Sequence, residues 1–133
     1  MSDSNFHDGY FDGFYLGRDK TVQLFVRTYD QRSYTMTLRG VKVMTLSEVK
    51  QGNIILDLAV RSAHGASPLD VAELYGVEQT SEQAAKLLQS TRETELQILQ
   101  LDSSYGARGL ILFERLEISE GSATPRGSLG SSP

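Results

Sequence analysis

From Lys20 to Leu58 apolar and polar residues alternate with a period of two. Val22, Leu24 and Val26 alternate with Thr21, Gln23 and Arg27, and after Asp30-Gln31-Arg32 the beat returns as Tyr34, Met36 and Leu38 against Ser33, Thr35, Thr37 and Arg39. Successive side chains of a strand point to opposite faces, so the pattern predicts two antiparallel strands with one buried face. At Gly40 the apolar positions move from even to odd, to Val41 and Val43, as one extra residue in a β-bulge would move them. Gly52-Asn53 supplies turn chemistry, and Ile54, Leu56, Leu58 and Val60 resume the alternation against Asp57 and Arg61 as a further long strand.

Upstream, Phe6, Tyr10, Phe11, Phe14 and Tyr15 crowd around Asp8-Gly9 and Asp12-Gly13. Tyr10 to Leu16 reads as a strand in a hairpin with the one at Thr21, and the first three or four strands as a meander, because sequence neighbours usually pair. After Arg61 the period changes. Ser67 and Pro68 suit an N-cap and first helical position, Val71, Ala72, Leu74 and Tyr75 keep one side apolar, and Gly76 suits a left-handed end. Thr80-Ser-Glu-Gln83 fits the capping box of a second helix that buries Ala84, Ala85, Leu87 and Leu88. Leu96 to Asp102 and Leu110 to Ile118 read as two closing strands, with Leu110, Leu112, Leu116 and Ile118 on one face and Glu114 interrupting it.

These elements predict an α+β fold: a mainly antiparallel sheet of about six strands, in the order β-β-β-β-α-α-β-β, with two helices packed on one face. The helices are expected to cover the even-numbered apolar set of the sheet. Residues 1–119 are expected to form one domain, and the Gly-, Ser- and Pro-rich stretch 120–133 a disordered tail, since it holds too little apolar surface to offset the entropy of ordering.

Composition narrows the function classes. The 133 residues carry a formal net charge of −4, which disfavours nucleic acid and anionic membranes as partners, because those surfaces require clustered Lys and Arg. No cysteine is present, so disulfides and thiolate metal sites are excluded, and a cytoplasmic location is expected. The N-terminal residues lack a basic start and apolar run, so no signal peptide is expected, and no apolar stretch approaches the roughly 20 residues of a membrane helix.

Residues 71 to 88 resemble the turn of a helix-turn-helix unit, with Ala72, three residues, then Gly76. A recognition helix there would open with Glu78 and Glu82, which repel phosphate, and Glu82 occupies a position expected to be apolar, so this regulator reading ranks third. An ordinary helix pair packed on a sheet accounts for the same residues. His7, Asp8, Asp12, Asp57 and His64 are the residue types of a metal or acid/base site, but their spacing matches no ligand motif, and no cofactor is expected. Ser103-Ser104-Tyr105-Gly106 lacks a nucleophile elbow. The leading expectation is therefore a small non-catalytic interaction or binding domain with a protein partner, contacted through Tyr105, Arg108, Tyr10 and Tyr15, which offer large amphipathic area at low entropy cost. A small enzyme or metal-binding protein using His7, Asp8, Asp12 and His64 is the alternative.

Overall fold

The computed structural model of the chain describes residues 6–47, 53–103 and 108–121, the side chains of Asn53, Ile54 and Leu56 excepted. Its strands are β1 (Gly9–Leu16), β2 (Val22–Arg27), β3 (Ser33–Arg39), β4 (Val43–Ser47), β5 (Asn53–Ser62), β6 (Gln97–Ser103), β7 (Arg108–Phe113) and β8 (Arg115–Glu120), with helices α1 (Pro68–Tyr75) and α2 (Glu82–Arg92) between β5 and β6. The class is α+β with a mainly antiparallel sheet, built from eight strands rather than six.

The extra strands arise at two corners. The hydrogen-bonded order is β4-β7-β6-β5-β1-β2-β3-β8, yet β3 runs on into β4 through Gly40–Lys42, and β7 into β8 through Glu114 alone. Both ends of the order are thus the same two stretches of chain. Their pairing is carried around the bend by Lys42 N–H to the Leu112 carbonyl at 2.8 Å and Glu114 N–H to the Arg39 carbonyl at 3.0 Å. The sheet therefore closes on itself as an antiparallel barrel of six continuous runs, two of them bent. Among the described residues its shortest seam is the three residue pairs joining β1 to β5.

Closure explains what the one-sided sheet could not. Val22, Leu24, Val26, Met36, Leu38, Leu58 and Val60 do share a face, and that face is the barrel interior, filled with Phe6, Phe11, Leu99, Leu101, Ile111 and Phe113. A barrel this narrow has room inside only for side chains. The helices cover a different set on the outside: Ala63, Ala66 and Leu74 pack with Ile98, Leu110 and Leu112, flanked by Val43 and Leu88. The expectation that the helices cover the even-numbered residues of the first strands is thereby overturned. So is the single face assigned to Leu110, Leu112 and Leu116, since Leu116 packs against the interior cluster and the sidedness switches at Glu114. Gly40 marks a corner rather than a bulge within one strand, and β4 leaves the meander to pair with β7.

The helix ends follow local chemistry. Ser67 caps α1 in a reciprocal box with Asp70, Pro68 stands at its start, and Gly76 closes it in the left-handed conformation. α2 is capped by Ser81, whose hydroxyl accepts from Ala84 N–H, one residue later than the expected box at Thr80. Strand β8 extends through Glu120, which pairs with Tyr34, so Glu120 does not belong to the expected disordered stretch 120–133. Its remainder, 122–133, lies outside the described residues.

Candidate functional site

Two positions of β1 that differ in parity share one side of the barrel. Tyr10 lies opposite Arg27 and Tyr15 opposite Gln23, and between them the register slips at Phe11/Gly13. Opposed residues in antiparallel strands project from the same face, and Gln23, Phe25 and Arg27 alternate with the buried Val22, Leu24 and Val26. A β-bulge thus turns Tyr15, which regular alternation would send inward, to the same outer face as Tyr10. The helices pack on β4, β7 and the segment before α1, which among the described residues leaves this outer face of β1, β2, β3 and β8 without helical cover.

Arg27 is the polar centre of that face. Its Nε and one terminal nitrogen donate to the two oxygens of Asp12 at 2.6 and 2.9 Å, and the other terminal nitrogen donates to Gln31 Oε1 at 2.5 Å. The guanidinium lies 4.7 Å from the centroid of the Tyr10 ring, a cation–π contact. The hydrogen bonds that Arg27 donates to Asp12, aided by the carboxylate's charge, hold the Arg27 pKa above the ordinary guanidinium value. The side chain is oriented on three sides and remains 30% exposed. Phe25, half-buried, stands between the two tyrosines opposite Gly13, and Tyr15 is 45% exposed.

A second polar array lies under α1. Ser67 N–H and Arg61 both donate to Asp70, Arg61 reaches Gln100 Oε1 at 2.9 Å, Gln100 donates to Asp102 at 2.9 Å, and Arg108 bridges Asp102 at 2.6 Å and Glu73 at 3.0 Å. Burial pushes the Asp70 carboxyl up, but hydrogen bonds from Arg61 and Ser67 outweigh it and the pKa is lowered. Burial likewise works to lower Arg108, and Glu73 with Asp102 reverse the direction. These charges are consumed in fastening α1 to β5, β6 and β7. Beside them Thr45, Ser47, Glu73 and Arg108 line an open depression of about 180 Å³.

The residues singled out from sequence thus separate. Tyr10 and Tyr15 lie on the same outer face, opposite residues four apart on β2; Arg108 belongs to the array beneath α1, and Tyr105 lies outside the described residues. His7 faces Asp8 at 3.8 Å, Asp12 is taken by Arg27, and His64 faces Glu95 at 3.5 Å. Among the described residues no group of three or more His, Cys, Asp or Glu side chains is placed to hold a metal ion. No described helix is long and apolar enough to cross a membrane. Nothing in their own stretch marks Arg27 and Phe25; their place on this face follows from register with Tyr10 and Gly13. No protein-family model and no curated protein matches the chain.

Proposed function

We propose that the chain is a small non-catalytic interaction domain with a protein partner, and that the partner docks on the outer barrel face around Tyr10, Arg27 and Tyr15. The observation that carries this reading is the alignment of Tyr10, Phe25 and Tyr15 beside an oriented Arg27 on the side without helices. Tyr and Arg are the residues most often found at the energetic centre of protein contacts, and an arginine already held in place loses little freedom on binding. An isolated exposed aromatic would carry no such weight, since folded proteins leave much apolar surface in water.

The enzyme alternative has less behind it. Among the described residues, the depression near Arg108 is smaller than the roughly 300–1,000 Å³ of pockets that enclose a small molecule. Glu78 and Glu82 at the entrance of α2 speak against a nucleic-acid partner. The lack of cysteine favours a reducing compartment, and the cytoplasm is the location we propose. A photo-crosslinking residue at position 15 tests the reading in cells, with position 86 on α2 as the comparison. A discrete crosslinked partner at 15 and none at 86 is expected; equal products at both positions, or none at 15, would overturn it.

A further inference from the structure

We infer that β8 pairs edge to edge with β8 of a second copy of this chain, antiparallel, about a two-fold axis at Ile118. Closure of the barrel is complete only up to the corner at Glu114. There β6 begins, with Gln97 opposite Phe113, so β7 has a strand on each side whereas β8 has β3 alone among the described residues. Every residue of β8 except Leu116 is exposed, and the strand carries no proline and no bulge to break its edge.

Backbone direction decides what that edge presents. The N–H and C=O of one strand residue point to the same side, and the side alternates along the chain. Gly121 N–H donates to the Ser33 carbonyl at 2.7 Å, one step beyond the Tyr34–Glu120 pair, so the odd-numbered residues of β8 bond to β3. Thr28 N–H donating to the Arg32 carbonyl at 2.9 Å agrees, since it assigns the even-numbered residues of β3 to β2. The N–H and C=O of Leu116, Ile118 and Glu120 therefore point away from β3, and among the described residues none has a partner. Such a row is complementary to an extended backbone.

The sequence of β8 selects a second β8. Two antiparallel copies of one strand keep inward side chains opposite inward ones only when the axis stands on a residue. At Arg115, Glu117 or Glu120 it would set like charges directly opposite each other. At Leu116 it would set Ile118 against Glu114, whose N–H already goes to the Arg39 carbonyl at 3.0 Å and whose carbonyl accepts from Gln97 Nε2 at 3.1 Å. At Ser119 it would leave Leu116 facing past the end of the strand at Glu120. At Ile118, the two Ile118 residues bond each other and each Leu116 bonds a Glu120, so every open N–H and C=O is paired. Glu117 then opposes Ser119, and the Ile118 side chain, 39% exposed in one copy, packs on its counterpart. The axis is perpendicular to the sheet, which leaves Tyr10 and Tyr15 of both copies uncovered on the same side.

Sedimentation equilibrium of the full chain is the test. One short edge buries less area than a standard interface, so a reversible dimer with a Kd on the order of 0.1 mM is expected. Ile118→Pro removes the N–H at the axis, which β3 does not use, and should weaken the dimer at least about tenfold while the melting temperature stays near the parent's. Position 119 reads the register independently of that variant. Ser119→Lys faces Glu117 of the second copy and should tighten the dimer about twofold or more, and Ser119→Glu should loosen it by as much. With the axis at Glu117, residue 119 would face Arg115 and both signs would reverse; that reversal overturns the inference, as does a dimer indifferent to all three substitutions. A chain still monomeric at about 1 mM overturns it too, whether the edge then stays vacant or takes a strand of another protein.

Discussion

Gly40 and Glu114 meet at the corner where the barrel closes: a Cβ on Gly40 would stand 2.5 Å from Cδ of Glu114. Gly40 also has φ of +68°, a conformation that disfavours any side chain. Two causes therefore act against substitution. Gly40→Ala should cost about 1–3 kcal/mol, and adding Glu114→Ala should return only part of it, because the second change removes the contact and leaves the backbone penalty. Urea denaturation of the single and double variants is the measurement; full recovery in the double variant would mean that the backbone at Gly40 carries no strain.

The β1–β2 turn offers the reverse. Asp19 and Lys20 both have φ of 58°, and Lys20 has no special tolerance for the left-handed region. Lys20→Gly should stabilise the protein by about 0.5 kcal/mol, the relief of strain exceeding the entropy that glycine adds to the unfolded chain. The Lys20 carbonyl, which accepts from Val41 N–H at 2.9 Å, is unchanged by the substitution. A lower melting temperature would contradict this.

Acid should loosen the fastening of α1. The Asp70 pKa is lowered in the folded chain, burial being outweighed by Arg61 and Ser67, so the native state favours the carboxylate. Its stabilising contribution is complete above the ordinary aspartate value near ~3.9 and is lost as pH falls through the lower folded value. Asp70→Asn should therefore cost stability at pH 7 and show a smaller loss than the parent between about pH 4 and pH 2. Denaturation curves across that range check it; parallel pH profiles for the two proteins would count against the Arg61 pairing.

The interior assignment is testable by parity. Leu24 and Leu38 are fully buried in the barrel, and Gln23 on the adjacent position is half-buried outside. Leu24→Ala and Leu38→Ala should each cost about 2–5 kcal/mol and Gln23→Ala less than about 1. Thr37 is buried despite facing outward and accepts from Gln23 Nε2 at 3.3 Å, so Thr37→Ala belongs between those limits. Equal losses at Leu24 and Gln23 would mean a different register.

Local rules made the alternation of β2 and β3, the Ser67-Pro68 entrance and the Gly76 exit of α1 legible, because each depends on residues a few positions apart. Closure was not legible, since it rests on β1 meeting β5 and β3 meeting β8, contacts between distant parts of the chain. Leu110 to Phe113 show why the helix-covered face was misassigned: a strand buried on both sides reads as a continuous apolar run, and parity says nothing about which side faces the helices. The same ambiguity hid the aromatic outer face. Asp12-Gly13 marks irregularity at the sequence level, but only the register at Phe11/Gly13 shows a bulge, and only the bulge puts Tyr15 on the same face as Tyr10.

Whether that face binds is tested most directly by parallel capture on the immobilised chain from its own cells, quantified for the wild type, Tyr10→Ala/Tyr15→Ala and Lys86→Ala. The account predicts a partner held by the wild type and by Lys86→Ala to within about twofold, and reduced at least about tenfold by the double tyrosine substitution, as for truncation at the centre of a contact. Melting curves establish that the double variant is folded. Equal capture by all three proteins would contradict the account, as would a loss with Lys86→Ala as large as that with the tyrosines.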